Sequence, residues 1–96
     1  MHRLLIKPLA EIDATEAAKW YEDAKEGLGY EFLLVLEAKI NTIQRNPLQF
    51  PLVHKNIRRA LMERFPYGLF FIIENDLIYV VAILHTSRNP QLYRKR

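Results

Sequence analysis

The hydrophobic period of this chain changes near residue 57, and this change limits the fold more than any other feature. Before it, apolar residues recur at steps of three and four, which is the spacing of an amphipathic helix. After it, they alternate or run continuously, as they do in strands. A short apolar segment over residues 3–7, ended by Pro8, adds a first strand. We expect one domain over residues 1–96, since a chain of this length supports a single small core.

The segment between Pro8 and residue 46 predicts two helices. Asp13 is placed to cap the first helix and Glu16, three residues later, to complete a capping box. A second helix is expected over residues 30–45, ended by Pro47, because the residue before a proline avoids helical dihedral angles. Only the Gly-Leu-Gly turn at residues 27–29 joins the two helices. They should therefore form an antiparallel hairpin.

The remainder of the chain predicts three strands, over residues 57–65, 69–74 and 77–85. Short turns separate them, so consecutive strands should pair antiparallel. The last strand is apolar on both faces, which is typical of a central strand. The predicted fold is α+β in the order β-α-α-β-β-β, with the N-terminal helical hairpin packed on one face of a small, mostly antiparallel sheet.

Alternation along residues 57–65 also predicts which side chains are buried. The set that carries the larger apolar side chains is Ile57, Arg59, Leu61, Glu63 and Phe65. We expect this set to face the helices, which leaves Arg58 and Arg64 on the open face of the sheet. Trp20, the only tryptophan, is expected near the hairpin seam, either in the core or in a partner-binding groove. The core is the favoured position, because large aromatic side chains are mostly buried.

Charge is divided unevenly along the chain. Residues 1–44 hold five Lys and Arg against eight Asp and Glu, whereas residues 45–96 hold nine against three. A concentrated basic surface binds phosphate or an acidic protein, although it can also be only a solvated face, and both interpretations stay open.

The chain has no cysteine, which excludes disulfides, thiolate zinc sites and a cysteine nucleophile. The three histidines have no metal-ligand spacing, so we expect neither a metal nor a cofactor.

Polar side chains after the last predicted strand suggest one candidate site. His85 ends that strand, and Arg88 and Tyr93 follow, so that all three could share the open surface with Arg64. Arginine binds phosphate through two parallel hydrogen bonds, and histidine or tyrosine can move a proton at a ribose 2′-hydroxyl. Such a site would cleave RNA without a metal. In the alternative, His85 hydrogen-bonds backbone at the strand end and the arginines hold a partner or only water.

Short motifs along nearly the whole chain carry a family resemblance. Residues 64–67 read Arg-Phe-Pro-Tyr, residues 85–90 read His-x-x-Arg-x-Pro, and residues 17–22, 27–29 and 46–51 complete the set. In this order they resemble the ParE branch of the RelE/ParE toxin superfamily. The resemblance implies the same β-α-α-β-β-β fold and a small cytoplasmic bacterial toxin of a type II toxin–antitoxin, plasmid-stabilisation module. It also implies an acidic antitoxin that wraps around the toxin.

The superfamily contains two activities. ParE-like members poison DNA gyrase and have no established catalytic site, whereas RelE-like members cut messenger RNA on the ribosome. RelE-like members commonly have an arginine after the strand-three tyrosine, but here Gly68 follows Tyr67, and the lysines ahead of strand two are reduced to Lys55. Both differences from the RelE-like pattern favour a toxin that inhibits gyrase by binding and has no catalytic activity. A third possibility is a non-toxic homologue that only binds antitoxin.

The resemblance also implies roles for basic residues in each case. In an RNase, Arg64 and Arg88 would bind phosphate, His85 would be the base or acid, and Tyr93 would stack on a base or assist proton transfer. In a gyrase inhibitor, the residues expected to contact the target or the antitoxin are Arg58, Arg64, Arg88, Arg94, Lys95 and Arg96. Apolar residues left exposed without antitoxin could also drive homodimerisation.

Overall fold

The computed structural model describes residues 2–96 and confirms an α+β fold. Its elements in chain order are β1 (Arg3–Ile6), α1 (Pro8–Ala24), α2 (Leu28–Arg45), a 3-10 turn (Pro47–Gln49), β2 (Leu52–His54), β3 (Ile57–Leu61), β4 (Tyr67–Glu74), β5 (Leu77–His85) and α3 (Gln91–Arg94). The five strands form one sheet in the order β1-β5-β4-β3-β2, in which only the β1–β5 pair is parallel. The short strand β2 and the helix α3 were not predicted. Within residues 2–96, no helix has the length and apolar character needed to cross a membrane.

Helix α1 begins at Pro8, five residues before the predicted start at Asp13, so the capping-box prediction is wrong. Proline suits the first helical position, since its ring fixes φ and its missing N–H needs no partner there. Asp13 lies inside the helix, and its carboxylate accepts a hydrogen bond from the backbone N–H of Ile83 at 3.0 Å. The side chain that resembles a cap therefore joins α1 to β5.

The predicted helical hairpin is confirmed, and Glu22 of α1 stabilises its turn. The Glu22 carboxylate accepts hydrogen bonds from the backbone N–H of Gly27 at 2.9 Å and of Gly29 at 3.0 Å. These donors would otherwise lie unpaired at the start of α2. Gly27 has φ +88°, and a Cβ added to Gly29 would lie 2.5 Å from the carbonyl oxygen of Ala18. The two helices can approach this closely only because residue 29 has no side chain.

Both faces of the sheet are apolar. The helices cover one face, where the largest fully buried side chains include Phe32, Phe71, Leu69 and Ile43. A smaller cluster on the opposite face contains Ile57, Phe70, Leu84 and Tyr93. The opposite face is therefore not an open surface, since α3 contributes a buried tyrosine to it.

The predicted assignment of faces on the second predicted strand is confirmed for Phe65, which packs with the helices, but is wrong for the residues before it. Ala60 and Met62 pack with the helices, whereas Ile57 belongs to the opposite cluster and Leu61 is 48% exposed. Large apolar side chains could not identify the helix-facing side, because each face of the sheet has its own core. Strand β3 also ends at Leu61, and Arg64 adopts a left-handed conformation with φ +65°, which interrupts the alternation before Phe65.

A β-bulge in β5 sets the direction of the final strand residues. Phe71 pairs with Val80 and Phe70 pairs with Ala82, so Val81 is an extra residue in the β4–β5 ladder. Val81 and Ala82 both belong to the cluster on the opposite face, and Ile83 then returns to the helix side. The bulge therefore resets the alternation three residues before the strand ends, close to the candidate site.

Candidate functional site

A cavity of about 160 Å³ opens where α1 passes the end of β5. Its lining includes Asp13, Glu16, Trp20, Tyr67, His85 and Arg88. The indole of Trp20 is 67% exposed, so the prediction that this residue is buried is wrong. The neighbouring Tyr21 takes the inward position instead, with its ring centroid 5.4 Å from that of Phe32 and 4.8 Å from that of Phe65.

A second cavity, of about 200 Å³, lies farther along the same side of α1 and is lined by Lys7, Pro8, Leu9, Val81 and Arg96. Strand β1 pairs with β5 only as far as Val80, so within residues 2–96 the edge of β5 beyond that point has no strand partner on this side. The two cavities flank this edge, and we refer to them together as the α1–β5 groove. An ion pair between Asp13 and Arg96 separates them, with Nη1–Oδ2 and Nη2–Oδ1 distances of 2.8 and 3.2 Å.

His85 is held in one tautomer by the turn that follows β5. The backbone N–H of Ser87 donates to His85 Nδ1 at 3.0 Å, and the Ser87 hydroxyl lies 2.8 Å from the same nitrogen. Because a backbone N–H can only donate, Nδ1 must be the acceptor, and the proton of the neutral ring lies on Nε2. His85 therefore offers the groove a hydrogen-bond donor rather than a free base.

Tyr67 lies beside His85, with ring centroids 5.4 Å apart in an edge-on arrangement. Burial raises the pKa of the Tyr67 phenol above its usual value, the neighbouring Tyr21 phenol raises it further, and the Arg88 guanidinium acts in the opposite direction. The phenol therefore stays protonated at neutral pH and can donate a hydrogen bond.

Three of the four residues predicted for an RNase site line one small cavity, and the fourth does not. His85, Arg88 and Tyr93 lie around a cavity of about 70 Å³. Arg64 lies elsewhere, with its Nη2 3.6 Å from Glu31 Oε1 on α2, so the expected shared surface is wrong for this residue. The arginine that joins the other three is Arg59, although alternation along residues 57–65 predicts it on the helix side.

The other basic residues predicted as contacts differ in their freedom. Arg58 Nη1 donates to the carbonyl of Phe50 at 2.6 Å, which holds it against the segment before β2. Arg94 and Lys95 are exposed, whereas the Arg96 side chain is only 17% exposed because it pairs with Asp13. In the basic tail, residues 94–96, the first two side chains are therefore exposed and the third is held by its ion pair. Among residues 2–96, no three His, Asp or Glu side chains are grouped so that they could hold a metal ion.

Comparison with known proteins connects this architecture to a family. The family model of the ParE toxin of the type II toxin–antitoxin system parDE matches residues 4–90. No curated protein sequence matches the chain. A chain from the solved structure of a chromosomal ParDE TA system from P. aeruginosa superimposes with a TM-score of 0.77 at 18% sequence identity, over 88% of this chain and 96% of that one. That likeness shows a shared fold, and the family match covers most of the sequence. The chain therefore belongs to the ParE toxin family of type II toxin–antitoxin systems.

Proposed function

We propose that this chain is a toxin that inhibits DNA gyrase by binding to it, and that a cognate antitoxin neutralises it by covering the α1–β5 groove. The observation that carries the proposal is the groove itself, in which an exposed tryptophan, Trp20, and Arg88 line one cavity at the edge of β5 that β1 does not cover. Tryptophan and arginine are the side chains that most often dominate the binding energy of protein interfaces. Membership of the ParE toxin family supports the same assignment.

The groove has features that suit an extended or helical protein segment. Beyond Val80, the edge of β5 has no strand partner, and Leu9 on the adjoining helix is 54% exposed. Asp13 and Arg96 already bond to the N–H of Ile83 and the carbonyl of Val81 on this edge. A segment lying there can bury apolar side chains against α1 and bond to the strand edge where this pair does not occupy it. The surplus of basic residues in the second half of the chain would attract an acidic antitoxin and speed its association.

Binding is favoured over RNA cleavage by the state of the candidate catalytic groups. His85 Nδ1 is occupied by Ser87, and Arg64 is paired with Glu31, away from the cavity that His85 lines. The ring of Tyr93 is buried and stacked on Phe70 at 4.0 Å, so its face cannot stack on a nucleobase. The exposed Arg94 and Lys95 would instead act as contact residues on the surface of gyrase.

A gyrase assay tests the proposal directly. Purified toxin should inhibit supercoiling or trap cleaved DNA, and stoichiometric antitoxin should relieve the effect. Arg88→Gln should weaken inhibition, whereas Arg3→Gln, which removes the same charge from β1, should not. No effect on gyrase at a large excess of toxin would contradict the proposal. In that case, cleavage of messenger RNA on translating ribosomes is the next activity to measure, with Arg59, His85 and Arg88 as the residues to replace.

A further inference from the structure

Arg59 carries a buried hydrogen-bond donor without an acceptor. It lies on β3, on the face opposite the helices, and its Nε is shielded from solvent with no hydrogen-bond partner among residues 2–96. Buried donors in folded proteins are nearly always paired, because an unpaired one loses its hydration without compensation. The exception points to a partner that the isolated chain does not supply.

Arg88 lines the same cavity of about 70 Å³, so two guanidinium groups border one small space. The ion pairs among residues 2–96 are Lys39–Glu63, Arg64–Glu31 and Arg96–Asp13, and none of them includes either arginine. Further polar groups around the cavity come from Thr86, Asn89 and His85. Two positive charges at one cavity repel each other, and an anion between them converts that repulsion into attraction.

We propose that this cavity is an oxyanion site whose occupant is the carboxylate side chain of an acidic protein partner, held between Arg59 and Arg88. A carboxylate can accept two parallel hydrogen bonds from a guanidinium, which supplies the acceptor that Arg59 Nε lacks. The inference rests on the proposed function only for the choice of a protein as partner. The anion site itself can be tested without gyrase or antitoxin.

A carboxylate fits this site better than the phosphate backbone of single-stranded RNA. Recognition of single strands relies on aromatic faces on which bases stack. Phe70 and Tyr93, the phenyl and phenol rings in the lining, are stacked on each other with an interplanar angle of 13°, and only 6% and 8% of these residues are exposed. The His85 imidazole is the remaining ring of the lining. The cavity therefore offers charge and hydrogen bonds but no exposed phenyl or phenol face, and one short acidic side chain meets those requirements.

The first experiment measures anion binding by the free chain. The Nε–Hε cross-peak of Arg59 is followed by NMR during titration with sodium acetate and with sodium phosphate, at an ionic strength held constant with chloride. A saturable shift of this cross-peak is expected, and Arg88→Gln should weaken acetate binding roughly tenfold or more, since it removes one charged hydrogen-bonding partner. Arg88 is exposed, so this substitution spares the core, and Arg3→Gln on β1 is the charge-matched control. A shift that is linear with concentration, or equal in wild type and Arg88→Gln, overturns the site.

The second experiment identifies the occupant. A poly-glutamate peptide and an oligouridylate RNA are each titrated into the wild type and into Arg88→Gln. Stronger binding of the peptide, with loss in the variant and competition by acetate, supports a protein carboxylate. Stronger binding of the RNA, lost in the same variant, overturns that choice. A negative gyrase assay together with a saturable acetate titration would reject the proposed function and leave the anion site intact.

Discussion

Asp13 Oδ2 accepts two hydrogen bonds from different parts of the chain, one from Arg96 Nη1 at 2.8 Å and one from the backbone N–H of Ile83 at 3.0 Å. Arg96 Nη1 also donates to the carbonyl of Val81 at 3.0 Å. The pair thus satisfies two backbone groups on the edge of β5 that β1 does not reach. It joins α1, the sheet edge and the end of the described chain at the centre of the α1–β5 groove.

Removing this carboxylate should destabilise the fold. Asp13→Ala leaves both the Arg96 guanidinium and the Ile83 N–H without their acceptor in a site where the Asp13 side chain is only 11% exposed. We expect a loss of about 3 kcal/mol in the free energy of unfolding, measured by urea denaturation. The control Asp23→Ala removes an exposed carboxylate from the same helix and should change stability by less than about 0.5 kcal/mol. Equal losses of stability in the two variants would show that the Asp13–Arg96 ion pair makes no specific contribution to the free energy of unfolding.

The two glycines of the helical hairpin should respond differently to alanine. At Gly29 the new Cβ meets the backbone oxygen of Ala18 at 2.5 Å, and α1 and α2 must separate, which should cost roughly 3 kcal/mol. At Gly27 the new Cβ has no neighbour within 4 Å, so only the left-handed φ of +88° is penalised, by about 1 kcal/mol. Urea denaturation of both variants measures the difference. A larger loss at Gly27 than at Gly29 would contradict the close helix approach.

Stability should depend on the ionisation of Tyr67 at high pH. Burial raises its pKa above the usual 10.0, so the unfolded chain loses this proton first as pH increases. The contribution of the protonated Tyr67 phenol to the free energy of unfolding is fully present below about pH 10, and it is lost as pH rises through the pKa of the folded state. Tyr67→Phe should therefore flatten the fall in the free energy of unfolding above about pH 10. Tyr30→Phe, which removes the same hydroxyl from a tyrosine that is 66% exposed, is the matched control. Equal slopes in the wild type and in Tyr67→Phe would contradict the prediction.

Arg88 provides a second test of the same site. Its charge lowers the pKa of the Tyr67 phenol, so Arg88→Gln should raise that pKa further. Ultraviolet absorbance of the phenolate measures it, with the Tyr67→Phe titration subtracted to isolate one residue. An unchanged titration would mean that the guanidinium does not lie close enough to act on the phenol.

Sequence alone predicted the elements that depend on local periodicity. The helices and the three longer strands carry their apolar residues at the expected spacing, and the Gly-Leu-Gly turn at residues 27–29 marks the hairpin. The start of α1 was missed because an aspartate that caps a helix and one that accepts a distant backbone N–H have the same local sequence. The partner of Asp13 lies 70 positions away at Ile83, beyond any local pattern.

The site was only partly predictable, because its geometry depends on how strands pair. His85, Arg88 and Tyr93 were found from their positions after the last strand, and they do line one cavity. Arg59 was missed and Arg64 was misplaced, because apolar residues on both sheet faces removed the contrast that alternation needs. Nothing in a single sequence predicts the positive φ of Arg64. The adjacent Arg-Arg pair at residues 58–59 was the one available indication, since either face assignment directs one of them away from the helices.

Trp20 should be the main energetic contact for an antitoxin in the α1–β5 groove. Trp20→Ala should lower the affinity for antitoxin roughly 30-fold, which corresponds to a loss of about 2 kcal/mol. Because the side chain is 67% exposed, the free energy of unfolding should change by less than about 0.5 kcal/mol. Isothermal titration calorimetry measures the affinity. The emission of this single tryptophan should also shift to shorter wavelength when antitoxin covers it.

The matched control for Trp20 is Tyr30→Ala on α2, where an aromatic ring of similar exposure, 66%, lies outside both cavities of the groove. If the antitoxin covers the groove, this variant should bind it nearly as well as the wild type. Equal losses of affinity at Trp20 and Tyr30 would mean that the antitoxin covers the outer surface of the helical hairpin instead. A loss at Tyr30 alone would place the antitoxin on α2 and leave the groove, with its tryptophan and Arg88, as the surface that contacts the toxin's target.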